Sequence, residues 1–317
     1  PTHPVRGDPA CRCLSLRASA RSDSEALFAR RLPTCVVAPT WTFRRPLPPR
    51  PVERVSLALP SLPKDLEGLR VLHVSDLHVR RVQRRPAHLA DLLAALEHAR
   101  ADVVVLTGDY MNHPGDEPAA LEALHELVGE IVRHNPDAPV LAIRGNHDTR
   151  LFERAARLIP GLRWLADESV VLTLAQGARL RVVASGFPEN LLAAAASEGE
   201  KAPGASAPEF TIALVHYPTE VFVAARLGLP LVLSGHTHAG QIRPWPRRAL
   251  HTSCDLPARF AAGIFRLGPT TLCVSRGLGT AVIPFRFNCP AQAPLYVLRR
   301  STVAAARDGT MQTLVRW

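Results

Sequence analysis

The chain has 317 residues, of which 47% are hydrophobic and 5% aromatic, and its formal net charge is +10. This length fits one large α/β domain with extensions, and aliphatic side chains must supply most of its core. No run of about eighteen apolar residues occurs, so we predict no membrane-spanning helix. The six cysteines include no CxxC pair, which excludes zinc-finger spacing and favours a reducing compartment.

The positive charge favours anionic partners: phosphates, nucleic acid or an anionic membrane surface. A solvated, arginine-rich surface is the alternative. Residues 1–54 are rich in Arg and Pro and lack periodicity, which predicts a flexible basic extension. This extension is either a tether to anionic lipid headgroups or a disordered tail. We expect the main domain over residues 55–300 and a C-terminal tail over residues 301–317.

The first half of this domain alternates short apolar runs with amphipathic segments. Residues 55–59 alternate like an edge strand, and residues 71–74, 103–106 and 140–143 read as buried strands. Apolar residues at helical spacing predict helices between these buried strands, over residues 88–99 and 117–134. This succession predicts a parallel sheet with right-handed crossovers.

The second half reads as mostly strands. Residues 170–174 and 179–185 predict a hairpin around Gln176 and Gly177. Residues 190–208 read as a surface loop, with a substrate-covering cap as the alternative. Four later strands are predicted, the last two as an antiparallel pair: residues 210–215, 231–233, 272–275 and 295–298.

Five of the strand-like runs end in a residue that can bind a metal ion. In open α/β sheets the carboxyl ends of strands gather ligands at one edge. Asp109 has no imidazole within the next three residues, which suits a carboxylate that bridges two ions. These strand-end residues, in chain order, are Asp76, His78, Asp109, Asn146, His147, His216, His236 and His238.

The ordered motifs D-x-H, G-D, G-N-H-D, H and G-H-x-H resemble those of the calcineurin-like metallophosphoesterases. The segments GHTHAGQIRPW and VSRGLGT are similar to a bacterial branch of membrane-associated phosphodiesterases, which includes enzymes that hydrolyse UDP-2,3-diacylglucosamine. The resemblance implies an α/β fold, specifically a four-layer α/β/β/α sandwich with two mixed sheets. It also implies a cytoplasmic enzyme at the periphery of the inner membrane.

The resemblance implies two divalent transition-metal ions, manganese first, with iron, zinc, nickel or cobalt as alternatives. A hydroxide bridging the two ions would attack phosphorus. His147 would protonate the leaving group or stabilise the transition state, or else it packs at the rim without a catalytic role. Asp148 would orient His147 or cap the following helix. By the family pattern, Asp76, His78 and His238 bind the first ion, Asn146, His216 and His236 bind the second, and Asp109 joins them.

The segment GDYMNH departs from the family pattern G-D-x-x-D-R. Asn112 stands where the pattern has an aspartate, and His113 stands where it has an arginine. This departure argues against a Ser/Thr protein phosphatase and leaves the orientation of His147 open. Arg276, in VSRGLGT, either binds the substrate phosphate or forms a structural ion pair.

The leading hypothesis is a phosphohydrolase that cleaves a phosphodiester or pyrophosphate in a phosphorylated small molecule or lipid. Peripheral contact with an anionic membrane would accompany a lipid substrate. A nuclease or cyclic-nucleotide phosphodiesterase is the alternative, although the aromatic interleaving of nucleic-acid platforms is missing from the sequence. A non-catalytic scaffold is the alternative of another class. Such a scaffold should have lost ligands, whereas all seven ligand positions are filled here.

Overall fold

The computed structural model describes residues 51–83, 85–174, 177–187, 190–196, 210–245, 249–301 and 310–317. Most of the predicted basic extension, Gln176 of the hairpin turn and residues 197–208 of the predicted loop lie outside these residues. The domain boundaries at residues 54 and 300 therefore stay a prediction.

Thirteen strands and five α-helices form within the described residues. The strands are Val52–Leu59 (β1), Arg70–Val74 (β2), Val103–Leu106 (β3), Val140–Ala142 (β4), Leu162–Trp164 (β5), Glu168–Thr173 (β6), Arg179–Ser185 (β7), Phe210–Val215 (β8), Leu231–Ser234 (β9), Gly263–Leu267 (β10), Thr270–Val274 (β11), Ala293–Arg300 (β12) and Met311–Arg316 (β13). The helices are Ala87–Leu96 (α1), Glu117–His134 (α2), Arg150–Ala156 (α3), Leu191–Ala196 (α4) and Val221–Arg226 (α5).

The first sheet has six strands in the order β1-β12-β2-β3-β4-β5. Strands β2, β3, β4 and β5 run parallel, with α1 and α2 between successive strands in the chain. This arrangement confirms the predicted parallel β-α-β-α-β succession. Strand β1 lies at one edge, as the alternation of residues 55–59 predicts, and it pairs in parallel with β12.

The second sheet has seven strands in the order β13-β10-β11-β9-β8-β7-β6. Strands β6 and β7 form the predicted antiparallel hairpin. The predicted antiparallel pairing of the last two strands is wrong, because β11 lies in this sheet and β12 lies in the other one. An unpredicted strand, β10, pairs antiparallel with β11 instead. Apolar runs of similar length carry no information about which sheet each one joins.

The two sheets face each other, and helices cover their outer faces. Val71, Val103 and Val105 point into the core between the sheets. Their chain neighbours Leu72 and Val104 point outward and pack in the cluster formed with α1 and α2. Helices α4 and α5 cover the second sheet in the same way. The predicted four-layer α/β/β/α architecture with two mixed sheets is confirmed.

Part of the predicted loop over residues 190–208 is helical. Helix α4 consists of Leu and Ala, which are strong helix formers, and it buries Leu191 and Ala194 against the second sheet. The loop prediction is therefore wrong for residues 191–196. No α-helix among the described residues is both long enough and apolar enough to cross a bilayer.

A buried histidine on β2 makes folding sensitive to acid. His73 is fully buried, its Nε2 lies 2.8 Å from Thr107 Oγ1, and burial lowers its pKa to about 3. The unfolded chain takes up this proton near pH 6.5 but the folded chain does not, so the contribution of His73 to stability falls as pH falls from 6.5 towards 3. We expect His73→Gln to reduce the slope of the unfolding free energy against pH by about 1.4 kcal/mol per pH unit in this range. Urea unfolding of chelator-treated protein at several pH values in this range measures the slope.

His125→Gln is the matched control, because His125 is exposed on α2 and should leave the slope unchanged. An unchanged slope in the His73 variant would show that the acid sensitivity has another source.

Candidate metal centre

The seven predicted ligands lie at the carboxyl ends of parallel strands from both sheets. In the first sheet they follow β2, β3 and β4, and in the second sheet they follow β8 and β9. Because these strands run parallel within each sheet, their carboxyl ends lie at the same edge. Six of the seven offer ligand atoms in two groups that share Asp109: Asp76, His78, Asp109 and His238 in one, and Asp109, His216 and His236 in the other, with all ligand atoms of a group within 4.8 Å of one another.

In the first group, two imidazoles and two carboxylates face one point. His78 Nε2 lies 2.9 Å from His238 Nε2 and 3.4 Å from Asp109 Oδ2. His238 Nε2 lies 3.6 Å from Asp76 Oδ1. All four residues are buried, so these donor atoms lie close together with little water to separate them.

In the second group, an amide oxygen joins two imidazoles. Asn146 Oδ1 lies 2.9 Å from His216 Nε2 and 3.0 Å from His236 Nδ1. His216 Nε2 also lies 3.3 Å from Asp109 Oδ2, the same oxygen that faces His78. Asp109 therefore stands between the two groups, where the sequence predicts the bridging carboxylate.

The donor atoms of the second group suit a cation. The outer nitrogen of each ring faces a backbone carbonyl: His216 Nδ1 lies 2.7 Å from Thr107 O, and His236 Nε2 lies 2.8 Å from Ser253 O. These carbonyls accept a hydrogen from the outer nitrogens, so in a neutral ring the inner nitrogen carries a lone pair. Once His216 has lost its proton, the inner nitrogens and Asn146 Oδ1 are all acceptors with no hydrogen between them. Outer hydrogen bonds of this kind orient histidine ligands around metals.

The charges around Asp109 also favour a cation. Burial alone would raise the pKa of Asp109, but His216 and His78 outweigh it and hold the pKa well below its usual value. Burial lowers the pKa of His216, but the Asp109 carboxylate outweighs burial and the pKa rises to about 9. Burial, together with His78 and Arg286, keeps the pKa of His238 well below its usual value. A bound metal ion would take the place of the proton on His216. The His238 ring is already neutral, so one of its nitrogens can bind a metal ion without losing a proton.

Five of the predicted ligands have a left-handed backbone, which is uncommon for residues other than glycine. Neighbouring carbonyls stabilise it: the Asp76 N–H donates to Gly108 O and the His78 N–H donates to Asp109 O, each at 3.0 Å. Backbone strain of this kind clusters at functional sites. The five residues are Asp76 (φ 56°), His78 (φ 45°), Asp109 (φ 59°), His236 (φ 71°) and His238 (φ 49°).

Comparison with known proteins identifies the family. The sequence model of the calcineurin-like phosphoesterase family matches residues 69–240, which is more than half of the chain. The chain belongs to the calcineurin-like phosphoesterase family. It is a metal-dependent phosphoric ester hydrolase, as the sequence predicts, and the side chains that offer metal ligands lie inside the matched region.

Relatives of this phosphoesterase include an uncharacterized metallophosphoesterase of Bacillus subtilis, YkuE, which is 25% identical over 82% of this chain and 90% of its own length. A Danio rerio protein named "transmembrane protein with metallophosphoesterase domain" is 26% identical over 84% of this chain, and the match spans 61% of its length. The crystal structure of TT1561 of Thermus thermophilus superposes with a TM-score of 0.39 at 13% identity, covering 66% of this chain and 90% of that one.

In this phosphoesterase the backbone of Asn112 orients His147. His147 Nδ1 lies 2.6 Å from the Asn112 carbonyl oxygen, so Nδ1 carries the hydrogen and Nε2 is the free nitrogen of the neutral ring. The His147 N–H donates to Asp109 Oδ1 at 2.9 Å. The His147 ring stands edge-on to His78, with centroids 4.7 Å apart. His147 therefore lies beside the donor atoms of the first group.

Asp148 joins the two loops that carry Asp109 and Asn146. Its carboxylate accepts hydrogen bonds from the backbone N–H groups of Gly145, Asp109 and Tyr110 at 2.8 Å and of Met111 at 3.3 Å. Burial and the Asp109 carboxylate raise the pKa of Asp148 to about 7. Asp148 is thus an internal clamp in the phosphoesterase site.

Neither role predicted for Asp148 describes these contacts. Helix α3 is capped by Thr149, whose Oγ1 accepts from Phe152 N at 3.1 Å. The His147 ring is held by Asn112 rather than by Asp148. A carboxylate next to a histidine gives no sign in sequence that it bonds to backbone N–H groups almost forty positions earlier.

Two arginines lie near the predicted site, one with a predicted alternative and one that the sequence did not indicate. The Arg276 guanidinium pairs with Glu53 and donates to Pro290 O at 2.9 Å, so its contacts are those of the ion-pair alternative. Sequence reasoning missed Arg286, whose Nη2 lies 3.4 Å from His238 Nδ1 and donates to the Gly277 carbonyl at 3.1 Å. A single arginine in an apolar segment offers no periodic or motif signal.

Proposed function

We propose that this phosphoesterase binds two divalent transition-metal ions and hydrolyses a phosphodiester or pyrophosphate bond. The observation that carries the proposal is the position of Asp109 Oδ2, 3.4 Å from His78 Nε2 and 3.3 Å from His216 Nε2. The first ion is assigned to Asp76, His78 and His238, the second to Asn146, His216 and His236, and Asp109 to both. Manganese is the first candidate; iron, zinc, nickel and cobalt also suit these donors.

Two bound ions would supply an activated water and would offset the charge that develops on the phosphoryl oxygens. The protein holds His147 beside them through the Asn112 carbonyl, with Nε2 as the free ring nitrogen. We assign His147 to protonating the leaving oxygen or stabilising the transition state.

We expect His147→Gln to lower kcat by about 10²- to 10⁴-fold, because a positioned acid or base contributes this much. Metal content should stay at the wild-type value, since His147 belongs to neither group of ligand atoms. Steady-state kinetics and elemental analysis of the same preparation separate the two effects. The matched control is His98→Gln, on the surface after α1. A His147 variant with full kcat would place this residue outside the chemistry.

An apolar loop beside the metal centre supports a substrate with an apolar part. Within residues 282–287, Val282 is 88% exposed, Phe285 56% and Phe287 49%. Gln241 holds this loop by accepting from Ala281 N at 2.9 Å and donating to Phe285 O at 3.0 Å. Exposed apolar clusters mark binding surfaces. We therefore include lipid-linked substrates such as UDP-2,3-diacylglucosamine, and peripheral membrane contact, in the proposal; the name of the Danio rerio relative agrees with membrane contact.

The test is hydrolysis of bis-p-nitrophenyl phosphate by protein that has been stripped of metal and reloaded with manganese. We expect two ions per chain and turnover that a chelator abolishes. A protein that takes up two ions but shows no turnover would favour the non-catalytic scaffold. A screen of nucleotide-linked lipids, cyclic nucleotides and oligonucleotides then identifies the substrate class.

A further inference from the structure

A cationic pocket is lined by residues on both sides of Asn146 in the chain and is not used by the chemistry above. It has a volume of about 380 Å³, and helix α3 forms one wall. Its charged lining residues are four arginines and two acids: Arg144, Arg150, Arg154, Arg157, Glu153 and Asp167. Four positive charges therefore face two negative ones in this arginine pocket.

Both acids are already engaged. The Glu153 carboxylate lies 2.8 Å from Arg157 Nη2 and 3.7 Å from Arg144 Nη1. The Asp167 carboxylate accepts from Asn190 Nδ2 at 2.8 Å and from Gly186 N at 3.2 Å. Both acidic side chains of the pocket therefore already have ion-pair or hydrogen-bond partners.

Arg150 and Arg154 form no ion pair with any acid in the described part of the chain. Their spacing of four places them on the same face of α3, one turn apart. Two like charges at this spacing repel each other unless an anion or solvent screens them. The pocket therefore carries two positive charges that an anionic ligand would match.

The pocket is within reach of the metal centre. Arg144 lies two residues before Asn146, so their Cα atoms are at most about 7 Å apart, and Arg150 lies four residues after it, at most about 14 Å away. Arg144 is also oriented, since its guanidinium carbon stands 4.3 Å over the Phe187 ring. One substrate molecule can therefore span both places.

We propose that the arginine pocket binds a second anionic group of the substrate, a phosphate or a carboxylate, while the scissile phosphorus lies at the metal centre. The substrate class is then a phosphoester that carries a further anion. Guanidinium groups suit this task because their planar N–H pairs bind oxyanions in a bidentate way. This inference rests on the proposed function for the identity of the scissile bond but not for the pocket itself.

Metal-free protein tests the pocket separately. Inorganic pyrophosphate is titrated into chelator-stripped protein by calorimetry, with the chelator removed beforehand. We expect wild-type protein to bind, and Arg150→Ala/Arg154→Ala to raise Kd by at least about tenfold, because the double variant removes two charge-assisted contacts with the anion. Arg163→Ala is the matched control, because Arg163 is exposed on β5 and does not line the pocket. Equal binding by the double variant, or no binding by wild-type protein, overturns the proposal.

Three p-nitrophenyl alkyl phosphodiesters then test specificity in the manganese-loaded protein. Their alkyl chains have one length and end in a phosphate, a carboxylate or a methyl group. We expect kcat/KM to favour an anionic end at least about tenfold over methyl, and the double variant to lose this preference. Which anionic end is preferred identifies the ligand. Turnover without any preference overturns the pocket alone, whereas absence of turnover on all three, with pyrophosphate binding retained, contradicts only the proposed function.

Discussion

Replacement of Asp109 by asparagine is expected to lower kcat by about 10³-fold and to reduce metal content from two ions per chain to one or none. Asp109 Oδ2 faces His78 and His216 together, so a neutral amide weakens both metal sites at once. A loss of several kcal/mol of transition-state stabilisation corresponds to this factor. Kinetics with bis-p-nitrophenyl phosphate and elemental analysis measure the two quantities.

Asp102→Asn is the matched control for Asp109. Asp102 pairs with Arg70 at the opposite end of the first sheet, with Nη2 and Oδ1 2.6 Å apart. This variant should keep both ions and wild-type kcat. Turnover that persists in Asp109→Asn would contradict a shared carboxylate and with it the two-ion assignment.

Replacement of Asp148 by alanine is expected to lower the free energy of unfolding by about 4 kcal/mol. The substitution leaves the N–H groups of Gly145, Asp109, Tyr110 and Met111 without their acceptor in a buried region. Each unsatisfied buried donor costs about 1–3 kcal/mol, and partial relaxation of the loops keeps the total below the sum. Urea unfolding of metal-free protein gives this value without any contribution from bound ions.

Asp116→Ala provides the comparison for Asp148. Asp116 also accepts from two backbone N–H groups, those of Arg81 and His113, but these bonds are exposed and water can replace them. We expect its cost to stay below about 1 kcal/mol. Similar losses of unfolding free energy in the two variants would show that the buried hydrogen bonds of Asp148 add no more stability than the exposed ones of Asp116.

The sequence predicts the ligand-bearing part of the fold well because two local signals agree there. Strands β2, β3 and β4 are buried on both faces, so they read as continuous Val- and Leu-rich runs. The predicted metal ligands follow these strands within four residues. Parallel pairing then brings these residues to one edge without any further information.

The remaining features depend on contacts between distant segments. Strand β5 has three residues, and strand β13 is mostly exposed, so neither has a strong hydrophobic pattern. Sheet membership of β11 and β12 depends on neighbours that no local pattern specifies. The clamp of Asp148 and the contact of Arg286 with His238 each join residues more than thirty positions apart. Neither the composition nor the spacing of residues in the sequence predicts these long-range contacts.

The left-handed residues of the metal centre also limit how stable this protein can be. At Asp76, His78, Asp109, His236 and His238, glycine would adopt the same backbone with less strain, at a saving of about 1 kcal/mol for each position. The backbone at these five positions therefore favours glycine over the side chains that are predicted to bind the ions. A variant with glycine at these positions would lose activity but would carry less backbone strain. Directed evolution for heat resistance should therefore screen for turnover at every round.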